Sequence, residues 1–177
     1  MGDAASLFEY AAQEEVALPA GFLSPASLLK TKEGIRRARA EWAKKGLKRM
    51  AFSIIRRRGK VWIGAINLRW PHGGLGEIGY GIRPRFWGQG YATEAVRRII
   101  ALAFDELGAH RVQATCWVRN ARSARVLLNA GLRKEGRLRG YLKRGDVVRD
   151  ELMFGMTRVD WKRPRLRARL RRRPGQA

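Results

Sequence analysis

Apolar positions recur with two different periods along the chain, and each switch of period marks an element. Leu7, Phe8, Ala11, Ala12 and Val16 repeat at helical spacing and predict a first helix over 3–16. Pro19, Gly21 and Pro25 break that pattern and predict a loop over 17–27. A second helix over about 28–45 puts Ile35, Ala38 and Trp42 on one face, with Gly46 as its stop. The period then shortens to two. Residues 50–57 and 61–70 read as strands around an Arg58-Gly59 turn, and 77–83 as a third strand after a glycine-rich loop. Gln89 to Leu107 reads as a long helix with Ala95, Ile99, Leu102 and Ala103 inward, closed by Gly108. A strand over 111–118 and a short helix over 121–129, stopped by Gly131, follow. Two strands, 132–143 and 147–157, flank Arg144-Gly145-Asp146 as a hairpin. This order predicts an α+β domain, a mixed and mostly antiparallel sheet flanked by helices, over 1–160.

The chemistry concentrates in 83–95, Arg-Pro-Arg-Phe-Trp-Gly-Gln-Gly-Tyr-Ala-Thr-Glu-Ala. Gly88 and Gly90 stand between a strand and a helix. Glycine there lets backbone approach a ligand at positive φ. A helix opening at that point aims its free N–H groups and the positive end of its dipole at an anion, phosphate above all. Arg83 and Arg85 add cations, so the run reads as a pyrophosphate cradle. Dinucleotide and Walker patterns do not fit, because neither a third spaced glycine nor Gly-Lys-Ser/Thr is present. Glu94, in the first turns of the helix, suits its positive end. Further on, Asn120 stands where it can cap the helix after it, in Asn120-Ala121-Arg122-Ser123.

The R-x-x-G-x-G spacing of Arg85, Gly88 and Gly90 resembles the coenzyme A signature of the GNAT N-acetyltransferase superfamily. The string 87–95 is similar to the branch that acetylates ribosomal-protein N-termini, the ribosomal-protein-alanine N-acetyltransferases. The resemblance implies a GNAT-like sheet and acetyl-CoA as cofactor. It implies that Ile82, Arg83 and Pro84 meet the pantetheine arm on a strand that splays from its neighbour. Arg85, Gly88, Gln89, Gly90, Tyr91, Ala92 and Thr93 then hold the pyrophosphate, and Asn120 and Ser123 the thiol end. Many members carry a tyrosine seven residues after the motif asparagine; Leu127 stands there, so Ser123 is the expected proton donor to the leaving thiolate and Tyr141 the next candidate. Glu77, at the start of the cofactor strand, is the first candidate base. The family's usual first strand is not seen before the first helix, so either it is missing or the coding start is placed too late; a missing strand leaves a sheet edge open to pairing with a second copy.

Charge narrows the partners. The chain carries 38 Lys and Arg against 15 Asp and Glu, a net +23. Residues 161–177 read as a basic, disordered tail, and without them the remaining 30 basic and 15 acidic residues still leave a large excess. Such a surface favours RNA or the ribosome and repels polyamine or aminoglycoside acceptors. No signal peptide or apolar span of membrane length is visible, and the lone Cys116, expected to be buried, fits a reducing cytoplasm. His72 and His110 are isolated, so no metal site is expected. Together these features point to acetyl transfer onto a primary amine, a protein N-terminal amine first, by direct attack. Two alternatives stay open: a small-molecule amine acetyltransferase, or a non-catalytic RNA- or ribosome-binding module on the same fold.

Overall fold

A computed structural model describes residues 4–13, 27–42, 49–144 and 146–162. Helix α1 (Ala4–Ala11) and α2 (Leu28–Trp42) precede strands β1 (Arg49–Arg56), β2 (Val61–Arg69) and β3 (Leu75–Ile82). Helix α3 (Tyr91–Ala101) runs on into a π-helical turn over Leu102–Glu106. Strand β4 (Arg111–Trp117), helix α4 (Ala121–Asn129), the β5 (Arg133–Arg144) and β6 (Val147–Thr157) hairpin, and a short α5 (Arg158–Lys162) complete the order. The loop expected over 17–27 and the Gly46 stop fall almost wholly outside the described residues, as does the tail beyond Lys162. Trp161, which the charge pattern assigns to that tail, belongs instead to the core. It is 2% exposed and its ring stacks on Phe104 at 5.7 Å.

The six strands form one sheet in the order β1-β2-β3-β4-β6-β5. All pairs are antiparallel except β3–β4. Helix α3 lays Val96, Ile99 and Ile100, and its π-helical continuation lays Ala103, onto Ile66, Leu68 and Ile78 of the sheet. Each such aliphatic side chain taken from water contributes about 1.5–3 kcal/mol. Helix α1 covers the opposite face, where Tyr10 meets Trp62 edge to face at 5.7 Å.

A bulge makes both faces apolar. Ile54 pairs with Gly64 and Ile55 with Trp62, so Ile63 is an extra residue. Side-chain parity flips across it, which sends Trp62 and Ala65 toward α1 and Ile63, Ile66 and Leu68 toward α3. Gly64 has no room for a side chain, because a Cβ there would run into the Gly81 carbonyl.

Strands β3 and β4 pair only over Leu75–Glu77 and Arg111–Gln113 and then part. The sheet therefore opens into a cleft between β3, α3 and α4.

Candidate active site

The cleft encloses about 1550 Å³. Its first wall is the unpaired end of β3. The Arg83 N–H donates to the Ile63 carbonyl at 2.8 Å, which fixes the alternation of the antiparallel pair. The N–H and C=O groups of Tyr80 and Ile82 accordingly face the opening. The Ile82 carbonyl is met by the indole N–H of Trp87 at 2.6 Å.

The second wall is the turn into α3. Gly88 and Gly90 hold φ of +74° and +81°. A Cβ on Gly88 would meet nothing within 4 Å, so backbone conformation and not space demands glycine there. Gly90 caps α3 with no side-chain acceptor, and the N–H groups of Tyr91, Ala92 and Thr93 open toward the cleft. An anion is the natural partner for such donors.

Helix α4 supplies the third wall. The Asn120 side chain accepts from the Ser123 N–H at 3.0 Å and starts the helix. Ser123 then meets Tyr80 across the split sheet. Their hydroxyl oxygens are 2.8 Å apart, and the Tyr80 hydroxyl also donates to the Ser123 carbonyl at 3.2 Å. Burial holds the Tyr80 phenol far above its ordinary range. Cys116, at the end of β4, lines the same corner, and burial raises its thiol to about 11. Arg122 lies over Trp87 at 4.8 Å, and with Arg119 and Arg125 makes the mouth of the cleft cationic.

The residues singled out by motif spacing do not all converge. Ile82, Gly88, Gly90, Tyr91, Ala92, Thr93, Asn120 and Ser123 line the cleft, as do Glu77 and Tyr141. Pro84, Arg85 and Gln89 do not; Arg85 lies over the Phe86 ring and Gln89 donates to the Arg85 carbonyl at 3.1 Å. Arg83 departs furthest from expectation. Its guanidinium turns to the other face of the sheet, donates to the Ser6 carbonyl and to Glu9 at 3.0 Å each, and covers Trp62. It fastens α1 to the sheet, so it is not among the donors at the glycine turn. Strand parity explains this, because Glu77, Gly79, Gly81 and Arg83 share the α1 face.

Glu77 sits on that face in an ion pair with Arg69. A second carboxylate, which motif spacing does not pick out, lies deeper. Glu151 on β6 is 3% exposed and opposes Trp117 of β4. Arg149 Nε approaches its Oε1 to 2.9 Å, close enough for an ion pair but off the line of an N–H···O bond. Burial outweighs this cation and lifts the Glu151 carboxyl above the ordinary range. Tyr141 is half exposed on the rim, on the β5–β6 hairpin. Among the described residues no cluster of His, Cys, Asp or Glu could hold a metal ion.

Comparison with known proteins bears on this arrangement. Residues 1–133 match the model of the acetyltransferase (GNAT) domain. A similar relative is the [ribosomal protein uS5]-alanine N-acetyltransferase of Escherichia coli, 31% identical over 84 residues, 48% of this chain and 43% of that one. The chain spans about half the length of the curated relatives it matches. Mycobacterium smegmatis RimJ, solved in complex with CoA-disulfide, superposes with a TM-score of 0.81 at 24% identity, over 96% of this chain and 83% of that one. Spermidine N-acetyltransferase from Vibrio cholerae, solved with CoA and spermine, superposes at 0.78 and 16% identity, over 90% and 92%. At those identities the two structures speak for the fold alone. The family match covers three-quarters of the chain and includes both the glycine turn and Asn120-Ser123: the chain belongs to the GNAT acetyltransferase family.

Proposed function

We propose that the chain transfers an acetyl group from acetyl-CoA to a protein N-terminal α-amine, ribosomal proteins being the first candidates. The observation that carries this reading is the split between β3 and β4, with phosphate-suited donors on one wall and the Ser123 hydroxyl and the Glu151 carboxylate also lining the cleft. The donors fit the cofactor. Backbone N–H groups of Tyr91 to Thr93 would hold the pyrophosphate, with Arg122 and Arg125 adding charge. The Ile82 N–H, which the register turns toward the opening, would bond the amide-bearing arm as an added strand does. When bound, acetyl-CoA supplies the acetyl thioester, and the residues of the cleft do the rest.

Glu151 takes the proton of the attacking amine. A base is most effective when its pKa lies near working pH, and burial moves this carboxyl in that direction. It replaces Glu77, whose carboxylate is engaged by Arg69. Ser123 donates to the departing sulfur. An α-amine, with a pKa of about 8 against about 10.4 for a lysine side chain, asks less of the base. The acceptor enters from the α1 face, past Tyr10, Asn67 and Arg69. That approach carries arginines alongside its carboxylates, which disfavours polyamines. The cationic surface would concentrate the enzyme near ribosomal RNA, where such N-termini are found.

Titration calorimetry of the chain with acetyl-CoA tests the cleft. One saturable site is expected in the wild type. In Gly90→Val binding falls at least tenfold with the fold intact, because φ of +81° is closed to a β-branched residue. Equal affinity in both proteins would remove the cradle from its place.

A further inference from the structure

Ser123 is held by more partners than a helix-start serine needs. Its N–H is fixed by Asn120, and its hydroxyl oxygen and carbonyl lie 2.8 and 3.2 Å from the Tyr80 hydroxyl. Tyr80 comes from the far wall, 43 residues back in the chain. We propose that Tyr80 is a positioning residue for Ser123: it donates to the serine oxygen and thereby turns the serine's own proton into the cleft. This rests on the reading of Ser123 as the donor to the departing sulfur.

The hydrogen-bond inventory carries the inference. A serine hydroxyl has one proton and two acceptor sites. Burial keeps the Tyr80 phenol protonated through the working pH range, so it can serve as a donor. The one Tyr80 proton has two acceptors within reach, the serine oxygen at 2.8 Å and the Ser123 carbonyl at 3.2 Å; aimed at the nearer, it fills an acceptor site of the serine, and the serine's own proton is directed at whatever acceptor occupies the cleft. A chain of this kind is mutually polarised: the bond from Tyr80 strengthens the bond Ser123 gives. The proton balance is simple. Ser123 donates a hydrogen bond to the sulfur on which the electron pair of the broken C–S bond settles. Tyr80 keeps its proton, because a tyrosinate is disfavoured in that buried corner. The proton removed from the attacking amine finally neutralises the sulfur.

The test compares the wild type, Tyr80→Phe, Ser123→Ala and the double variant, each loaded with free CoA. The ionisation of the bound thiol is followed by thiolate ultraviolet absorbance across pH. A donor aimed at sulfur stabilises its thiolate, so the wild-type complex should titrate lowest. Tyr80→Phe and Ser123→Ala should each titrate about one pH unit higher, and the double variant no higher than Ser123→Ala alone. The kcat for acetyl transfer should follow, falling about tenfold in Tyr80→Phe with KM for acetyl-CoA unchanged. A Tyr80→Phe complex that titrates as the wild type does, while Ser123→Ala shifts, overturns the role of Tyr80 alone. Additive shifts in the double variant overturn it as well. Identical titration in all four proteins overturns the role of Ser123 and that of Tyr80 with it. Phenylalanine keeps the ring, so a melting temperature near the wild type's separates these outcomes from misfolding.

Discussion

Two protonation states govern this cleft, and both come from burial. The Tyr80 phenol is kept protonated and the Glu151 carboxyl is held above its ordinary range, each by removal from water. The sign for Glu151 follows. A base acts only when ionised, so kcat/KM rises as pH rises through its elevated pKa, and again as the acceptor amine loses its proton near about pH 8. In Glu151→Gln the lower limb should vanish, the amine limb should persist, and the plateau should drop by about 100-fold. A pH profile of kcat/KM on one peptide reads all three, and an unchanged lower limb would send the base role back to Glu77. Gly88, Gly90, Asn120 and Ser123 were legible in sequence because their roles depend on near neighbours: a positive φ, a helix start, a capping side chain. Tyr80 and Glu151 were not. Their roles arise from strands that meet α4 and β4 far along the chain, and spacing within a motif does not reach them. Arg83 misled for the opposite reason. It stands beside the cradle in sequence, yet strand parity sends its side chain to the other face.

Most elements could be read from periodicity, since α3 and the six strands all fall where the spacing of apolar residues predicts them. Partner choice could not. Alternation shows that β3 and β4 are strands but not that they pair for three residues and then separate. The bulge at Ile63 is equally hidden, and it decides which face each β2 side chain joins. Gly64 lets β2 and β3 approach at that point. Gly64→Ala should therefore destabilise the fold by about 1–3 kcal/mol, because backbone cannot yield as a side chain can. Denaturant unfolding measures this, and a neutral result would show that β3 can shift without cost. The boundary error at Trp161 has a similar origin. Arginine-rich composition begins just after it, but its indole stacks on Phe104 and donates to Asp105 at 2.8 Å.

At the scale of the whole molecule, fold and charge act on different sides of the reaction. The split sheet provides one deep cleft that a phosphate-bearing donor fits, and α1 leaves an approach on the opposite face. A net charge of +23 then acts on every partner before contact. On the proposed reading, this charge draws in anionic surfaces and the peptides near them and turns small polycations away, most strongly at low salt. Belonging to the GNAT family identifies the chemistry of the cleft but not the acceptor, since the family's solved structures include a spermidine N-acetyltransferase. The most direct test is a competition in one tube. The chain is given acetyl-CoA with equal concentrations of spermidine and a peptide bearing a free N-terminal alanine and no lysine, and both products are quantified by mass spectrometry. Acetylation of the peptide α-amine well ahead of spermidine is the predicted result; acetylated spermidine as the main product would contradict it.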